Sequence, residues 1–99
     1  MAQIKRIRWT LIALEGLEHA HDYIEKERPS SAHRLIQQVE HALDALIHYP
    51  FMGRMGRVSN TRELYIANTP FIIAYRVKED RLEILGFMHA ARRWPDSFE

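Results

Sequence analysis

The sequence predicts an α+β domain with the element order β-α-α-β-β-β. Two observations predict this class: the first half of the 99 residues carries apolar residues at helical spacing, and the second half carries three strand-like runs separated by turn residues. A short run of mixed residues precedes the helices. We therefore expect an antiparallel helix hairpin packed on one face of a small, mainly antiparallel sheet, with the other face free for a partner.

The first strand and the first helix are predicted from the start of the chain. Residues 3–8 mix apolar and basic side chains without clean alternation, which suits a short strand near a sheet edge. Apolar residues then recur every three or four positions from Trp9 to Ile24, so they form one stripe that faces the core. Thr10 is the predicted N-cap of this helix, which must end before Pro29.

The second helix is predicted to begin with Ser30 or Ser31 as its N-cap and to end at Tyr49 and Pro50. The link between the two helices is short, so they fold back on each other as a hairpin. The long apolar face of the second helix consists of Ala32, Leu35, Ile36, Val39, Ala42, Leu43, Leu46 and Ile47.

The remaining elements follow a glycine-containing segment. Residues 51–60 include Gly53 and Gly56 and keep no helical period, so they are predicted to form a loop. Three strand-like runs form an antiparallel meander: residues 61–67, 71–77 and 82–88. The central run is apolar on both faces, as in a strand with neighbours on each side.

Length and composition indicate one domain over 1–99, since 99 residues with 46% hydrophobic and 27% charged side chains suffice for one core. The absence of cysteine excludes a disulfide scaffold, a thiol nucleophile and thiolate metal sites, and it fits a reducing compartment. The apolar run at 71–75 is far shorter than the roughly twenty residues of a membrane span. We therefore expect a cytoplasmic protein without a membrane partner.

We expect neither a metal nor a cofactor. His41, Asp44 and His48 recur at a helical spacing that could hold a metal ion. They lie opposite the apolar stripe of the second helix, however, and no second cluster completes a site. A solvated helix face is the simpler interpretation.

Basic residues are concentrated in the second half. The net charge is +1, but residues 1–50 carry six basic and seven acidic side chains, whereas residues 51–99 carry eight and six. Arginine outnumbers lysine eleven to three, and its planar group suits carboxylate or phosphate. The candidate partner-binding residues are Arg54, Arg57, Arg92, Arg93 and Trp94. A solvated loop would explain these arginines equally, and Trp94 could instead fold back on the core.

Several motifs occur in a distinctive order and spacing over nearly the whole chain. They are Trp9, Asp22-Tyr23-Ile24, Tyr49-Pro50, Gly53-Arg54, Gly56-Arg57, Thr61-Arg62-Glu63-Leu64, Ile73-Ala74-Tyr75-Arg76-Val77, Ile84-Leu85, His89, Ala91-Arg92 and Trp94-Pro95. Together these motifs resemble the RelE/ParE superfamily of toxins from type II toxin-antitoxin modules. The resemblance implies a small bacterial toxin that inhibits growth, contributes to plasmid stabilisation and is neutralised by a cognate antitoxin, through which it reaches operator DNA indirectly.

The resemblance leaves the molecular target open. ParE-like members inhibit DNA gyrase and are not known as nucleases, whereas RelE-like members are mRNA interferases that cut transcripts on the ribosome. The long helix pair looks more like ParE. RelE-like sites tend to carry several lysines, a late tyrosine or a carboxylate, and this chain has three lysines and no tyrosine after Tyr75. A non-toxic RNA- or DNA-binding module is a third alternative.

A metal-free ribonuclease would need a proton acceptor and a cation beside the phosphate. His89 and Arg62 are the candidates for these catalytic roles, and strand pairing is expected to bring them onto a common rim. Their alternative roles are structural: His89 would stabilise a strand end, and Arg62 would form an ion pair with Glu63.

Overall fold

The computed structural model describes residues 3–98, so residues 1, 2 and 99 of the predicted single domain lie outside it. Within that range, two helices pack on one face of a five-stranded sheet with the order β1-β5-β4-β3-β2. The predicted α+β class is confirmed. The elements are β1 (Arg6–Trp9), α1 (Leu11–Glu27), α2 (Pro29–His48), β2 (Arg54–Met55), β3 (Arg62–Tyr65), β4 (Phe71–Lys78) and β5 (Arg81–His89).

The sheet is antiparallel except at one edge. β1 lies at that edge, as predicted, and pairs in parallel with β5. β3, β4 and β5 form the predicted meander, in which Arg62 is opposite Tyr75 and Phe71 is opposite His89. One prediction was wrong: the segment 51–60 is not wholly a loop, because β2 pairs with β3 through two residues.

Helix α1 is capped and positioned as its sequence predicts. The Thr10 hydroxyl accepts a hydrogen bond from the Ala13 amide at 3.2 Å, which satisfies one of the free N–H groups of the first turn. Ala13 and Ala20 are buried beneath the helix. A side chain at Gly16 would collide with the backbone oxygen of Phe87, so glycine here allows α1 to lie close to β5.

Helix α2 begins earlier than expected. The prediction of Ser30 or Ser31 as its N-cap was wrong, because the helix starts at Pro29 and its cap residue is Arg28, which makes no side-chain capping bond. Proline fits the first turn, since it lacks an N–H that would be unpaired there and its φ angle is already helical. The helix ends at His48, one residue before the predicted stop.

The core lies between the helix pair and the sheet. Neither of the helices in residues 3–98 is long and apolar enough to cross a membrane. Trp9, Leu17 and Ile24 of the predicted stripe pack against this core. The buried members of the core are Ile4, Ala13, Ala20, Leu35, Val39, Leu46, Ile66, Ile73, Tyr75, Leu82, Ile84 and Phe87.

The opposite face of the sheet is not wholly free, which corrects the prediction. Successive strand residues point to opposite faces, so Gly86 faces away from the helices while Phe87 faces them. A Cβ atom at Gly86 would lie 2.7 Å from the Phe98 ring. Gly86 pairs with Ala74 across the ladder, and these two small residues leave room for Phe98 on the outer face.

Candidate functional site

A rigid segment that we call the arginine loop, residues 50–57, follows α2 and includes β2. The buried phenol of Tyr75 holds its beginning. The Tyr75 hydroxyl accepts a hydrogen bond from the Gly53 amide at 2.9 Å and donates one to the Pro50 carbonyl at 2.8 Å. Burial raises the pKa of Tyr75, although the bond from Gly53 opposes that shift, so the phenol is neutral at pH 7 and can donate.

Glu63 holds the end of the arginine loop. Its carboxylate is only 1% exposed and accepts hydrogen bonds from the Arg54 guanidinium at 2.9 Å and from the Arg57 amide at 2.7 Å. The Arg57 guanidinium lies 3.6 Å from the same carboxylate. The bond to Glu63 raises the pKa of Arg54. A buried carboxylate is stable only with such partners, so Glu63 fixes the positions of both arginines.

Arg62 stabilises the arginine loop from the face of β3 opposite to Glu63. Its guanidinium donates to the carbonyls of Phe51 and Gly53 at 3.1 and 2.8 Å, and it lies 5.3 Å from the centre of the Phe51 ring. The predicted ion pair between Arg62 and Glu63 was wrong. Adjacent strand residues point to opposite faces, so Arg62 faces the loop carbonyls while Glu63 faces Arg54.

The two glycines of the loop allow close packing within the protein. A Cβ atom at Gly53 would lie 2.6 Å from the Tyr75 oxygen and 2.9 Å from the Glu63 carbonyl. A Cβ atom at Gly56 would collide with the Thr61 hydroxyl. The loop is therefore pre-organised by its own contacts.

The C-terminal candidates separate into two groups. Arg92 and Arg93 are exposed after β5. Trp94 is half-buried, and the Arg57 guanidinium lies over its ring at 3.9 Å, so the tail returns to the arginine loop. The indole Nε1 of Trp94 is buried and has no hydrogen-bond partner among residues 3–98. Trp94 is thus fixed by Arg57, an arrangement that neither of its predicted roles included.

His89 and Arg62 lie at opposite ends of the sheet, so the expectation of a common rim was wrong. The pairings place them four residues apart along the strands and two strands apart across them, a separation of about 16 Å. His89 accepts a hydrogen bond at Nδ1 from the Ala91 amide at 3.1 Å and contacts the Phe71 ring edge-on. These contacts fit a residue that stabilises a strand end.

An open groove of about 680 Å³ lies between the arginine loop, the end of β4 and the C-terminal tail. Its basic lining residues are Arg62, Arg76 and Lys78, and Asp96 lies at its tail side. Phe51 and Met55 form part of its wall. The groove is therefore the basic concavity beside the arginine loop.

Metal-binding capacity is slight in the part of the chain that the structure describes. The predicted helix face of His41, Asp44 and His48 is exposed, and His48 Nδ1 lies 2.9 Å from the Asp44 carbonyl. Among residues 3–98, the one group with ligand atoms mutually within 4.8 Å is His21, Asp22 and Glu25 on α1. Such an exposed group needs no ion to be stable.

Sequence reasoning missed the two residues that organise the site, Tyr75 and Glu63. Tyr75 is the polar member of an apolar strand, and a buried phenol needs a hydrogen-bond partner. Glu63 is the first acid after a stretch rich in arginine. Both features were visible in the sequence, but their partners became apparent only with the β2–β3 pairing.

The fold and the arginine loop define a small domain that presents a rigid, basic surface. Residues 7–94 match the profile of the family described as the ParE toxin of the type II toxin-antitoxin system parDE. The match covers most of the chain. The protein therefore belongs to the ParE toxin family and is a type II toxin-antitoxin toxin.

Two relatives are also named as toxins, and the fold of one solved structure matches. The chain is 50% identical over 91 residues to Y4kP of Sinorhizobium fredii, whose name gives it as a candidate toxin, with 92% of this chain and 94% of that protein covered. It is 36% identical over 92 residues to toxin RelE2 of Caulobacter vibrioides, covering 93% and 99%. Its fold matches a chain of a solved structure described as the chromosomal ParDE TA system from P. aeruginosa, with a TM-score of 0.76, 23% identity, and coverage of 89% and 98%.

Proposed function

We propose that this ParE-family toxin inhibits DNA gyrase by binding it and is neutralised by a cognate antitoxin. The observation that carries the proposal is the family match over residues 7–94. The rigid arginine loop supports a binding function, because a pre-organised surface loses little conformational entropy when a partner docks. The distance between Arg62 and His89 also favours binding over proton-transfer chemistry that would use both residues.

The antitoxin is proposed to contribute an acidic segment. Arg92 and Arg93 are exposed beyond β5 and are our candidates for contacts with its carboxylates. Operator DNA would be reached through the antitoxin alone, since the net charge of +1 provides little general attraction for nucleic acid. Gyrase and ribosomes both lie in the cytoplasm, where we propose the toxin acts. Growth inhibition after loss of the antitoxin would give plasmid stabilisation.

A ribosome-dependent mRNA endoribonuclease is the second candidate. The basic groove favours it, because Arg62, Arg76 and Lys78 line one concavity that could hold a phosphodiester. In that mechanism the arginines would stabilise the charge on the phosphate. His89 would have to move far from its place at the end of β5 to reach the same phosphate.

Two assays on the same preparation test the proposal. Induction of the chain alone should arrest growth, and co-expression of the small protein encoded beside it should restore growth. The purified toxin should inhibit supercoiling by purified DNA gyrase while transcripts stay intact. Codon-phased cleavage of ribosome-bound transcripts, with supercoiling unaffected, would refute gyrase inhibition in favour of the ribonuclease.

A further inference from the structure

Three large apolar side chains project from the arginine loop, one of them from β2 within it. Phe51 is 56% exposed, Met52 is 50% exposed and Met55 is 74% exposed. We call these three residues with Arg54 and Arg57 the anchor surface. Aromatic residues, methionine and arginine are enriched in protein interfaces, where a few of them dominate the binding energy.

The anchor surface is held rigidly from beneath. Tyr75 fixes Gly53, and Glu63 fixes both Arg54 and Arg57, in each case through buried polar atoms. The exposed apolar side chains therefore stand on a backbone that is already ordered. Their burial in a partner would not be offset by the entropy of ordering the loop.

The exposed charge of the anchor surface is positive. No acidic residue lies between 45 and 62, and the neighbouring Glu63 is only 1% exposed. The guanidinium side chains of Arg54 and Arg57 are 54% and 45% exposed. A matching partner would therefore present carboxylates around an apolar pocket.

The aromatic faces favour a protein over RNA as this partner. Arg62 lies over the Phe51 ring, and Arg54 lies 5.2 Å from the centre of the neighbouring Tyr65 ring. Each ring thus has a face engaged by an arginine of the same chain, which leaves less of it for base stacking. The two methionines offer flexible apolar contacts, which suit a protein pocket.

We propose that the anchor surface is the contact through which this toxin holds its protein target, and that the target supplies an apolar pocket with an acidic rim. The projecting side chains fit pockets that a folded protein already has. This inference rests on the proposed function, in which a bound protein is the target. It adds the site on the toxin and the chemistry of the opposing surface.

The test compares two anchor variants with two matched variants on α1. Phe51→Ala and Met55→Glu change the anchor surface, and Tyr23→Ala and Leu11→Glu are their controls, because Tyr23 and Leu11 are 69% and 70% exposed. The measurements are inhibition of supercoiling by purified DNA gyrase and growth after induction. Antitoxin affinity and thermal unfolding are measured for the two anchor variants.

We expect each anchor variant to require about tenfold more toxin for half-inhibition of gyrase, the effect of losing one interface hot spot. The controls should stay within about twofold of the wild type, since they lie on α1, which follows β1 at the sheet edge opposite β2. Antitoxin affinity and unfolding temperature should be retained in the anchor variants. Met55→Glu should have the larger effect, because it also places a negative charge opposite an acidic rim.

Several outcomes would overturn the inference. Anchor variants that inhibit gyrase as well as the wild type would refute it and leave the proposed function standing. Loss of antitoxin affinity with retained inhibition would assign the surface to the antitoxin instead. Codon-phased transcript cleavage by the wild type would refute both proposals, as would a wild type that leaves growth unchanged. A last case is a wild type that arrests growth but neither inhibits gyrase nor cleaves transcripts. Anchor variants that still arrest growth would then refute the inference. Anchor variants that no longer arrest growth would support it, with a protein other than gyrase as the target.

Discussion

Replacing Tyr75 by phenylalanine removes the hydroxyl that ties the arginine loop to the sheet. Tyr75 is 0% exposed, and its two hydrogen-bond partners, the Gly53 amide and the Pro50 carbonyl, belong to buried residues. An unpaired buried polar group costs about 1–3 kcal/mol. Two such groups, less the cost of burying the hydroxyl itself, give an expected loss of about 2–3 kcal/mol in the free energy of unfolding.

Urea denaturation of Tyr75→Phe measures this loss directly, and the melting temperature should fall by about 10–15 °C for a domain of this size. Tyr23→Phe is the matched control, because Tyr23 is 69% exposed and its change should stay within about 0.5 kcal/mol. Hydrogen exchange should accelerate at the Gly53 amide in Tyr75→Phe. A variant as stable as the wild type, with the Gly53 amide still protected from hydrogen exchange, would refute the conclusion that the phenol holds the arginine loop in place.

Three further predictions concern the same structure. Glu63→Gln should lower the free energy of unfolding by about 1–3 kcal/mol in urea denaturation, because the buried carboxylate loses charge-assisted bonds. Glu40→Gln is the control at an exposed position and should leave the free energy of unfolding unchanged, so equal stability of the two variants would contradict the role of Glu63. Burial raises the pKa of Tyr75 above its unfolded value, so the stability that Tyr75 contributes should be constant below about pH 10 and fall above it, where the unfolded chain ionises first. Urea titrations at several pH values across this range should show this fall in the wild type and a smaller one in Tyr75→Phe. His89→Gln should remain toxic in the growth assay, since the proposed binding of gyrase needs no proton transfer. A folded, antitoxin-binding variant without toxicity would favour the ribonuclease.

The helices and the meander could be predicted from the sequence because their apolar spacing is local. Thr10 was correctly predicted as the cap of α1, since its hydroxyl bonds an amide three residues away. The start of α2 was predicted wrongly, because Pro29 suits a first turn even when no side chain caps it. β2 was missed because it consists of two residues that pair with β3, and so short a strand leaves no periodic pattern in the sequence.

The candidate site was only partly predictable. The concentration of arginine before Glu63 was visible, but the sequence did not reveal which arginine would pair with that carboxylate. Strand alternation places Arg62 and Glu63 on opposite faces, and this rule alone would have excluded their ion pair. The meander would likewise have separated Arg62 from His89, because Arg62 at the start of β3 lies level with Ile84, whereas His89 lies at the end of β5.

The central claim is that this toxin acts by holding a protein target, and gyrase inhibition tests it most directly. Purified toxin is titrated into a supercoiling reaction with purified DNA gyrase, and transcripts from induced cells are mapped in parallel. We predict loss of supercoiling with intact transcripts, and recovery of supercoiling when the antitoxin is added. Undiminished supercoiling together with codon-phased transcript cleavage would contradict the account.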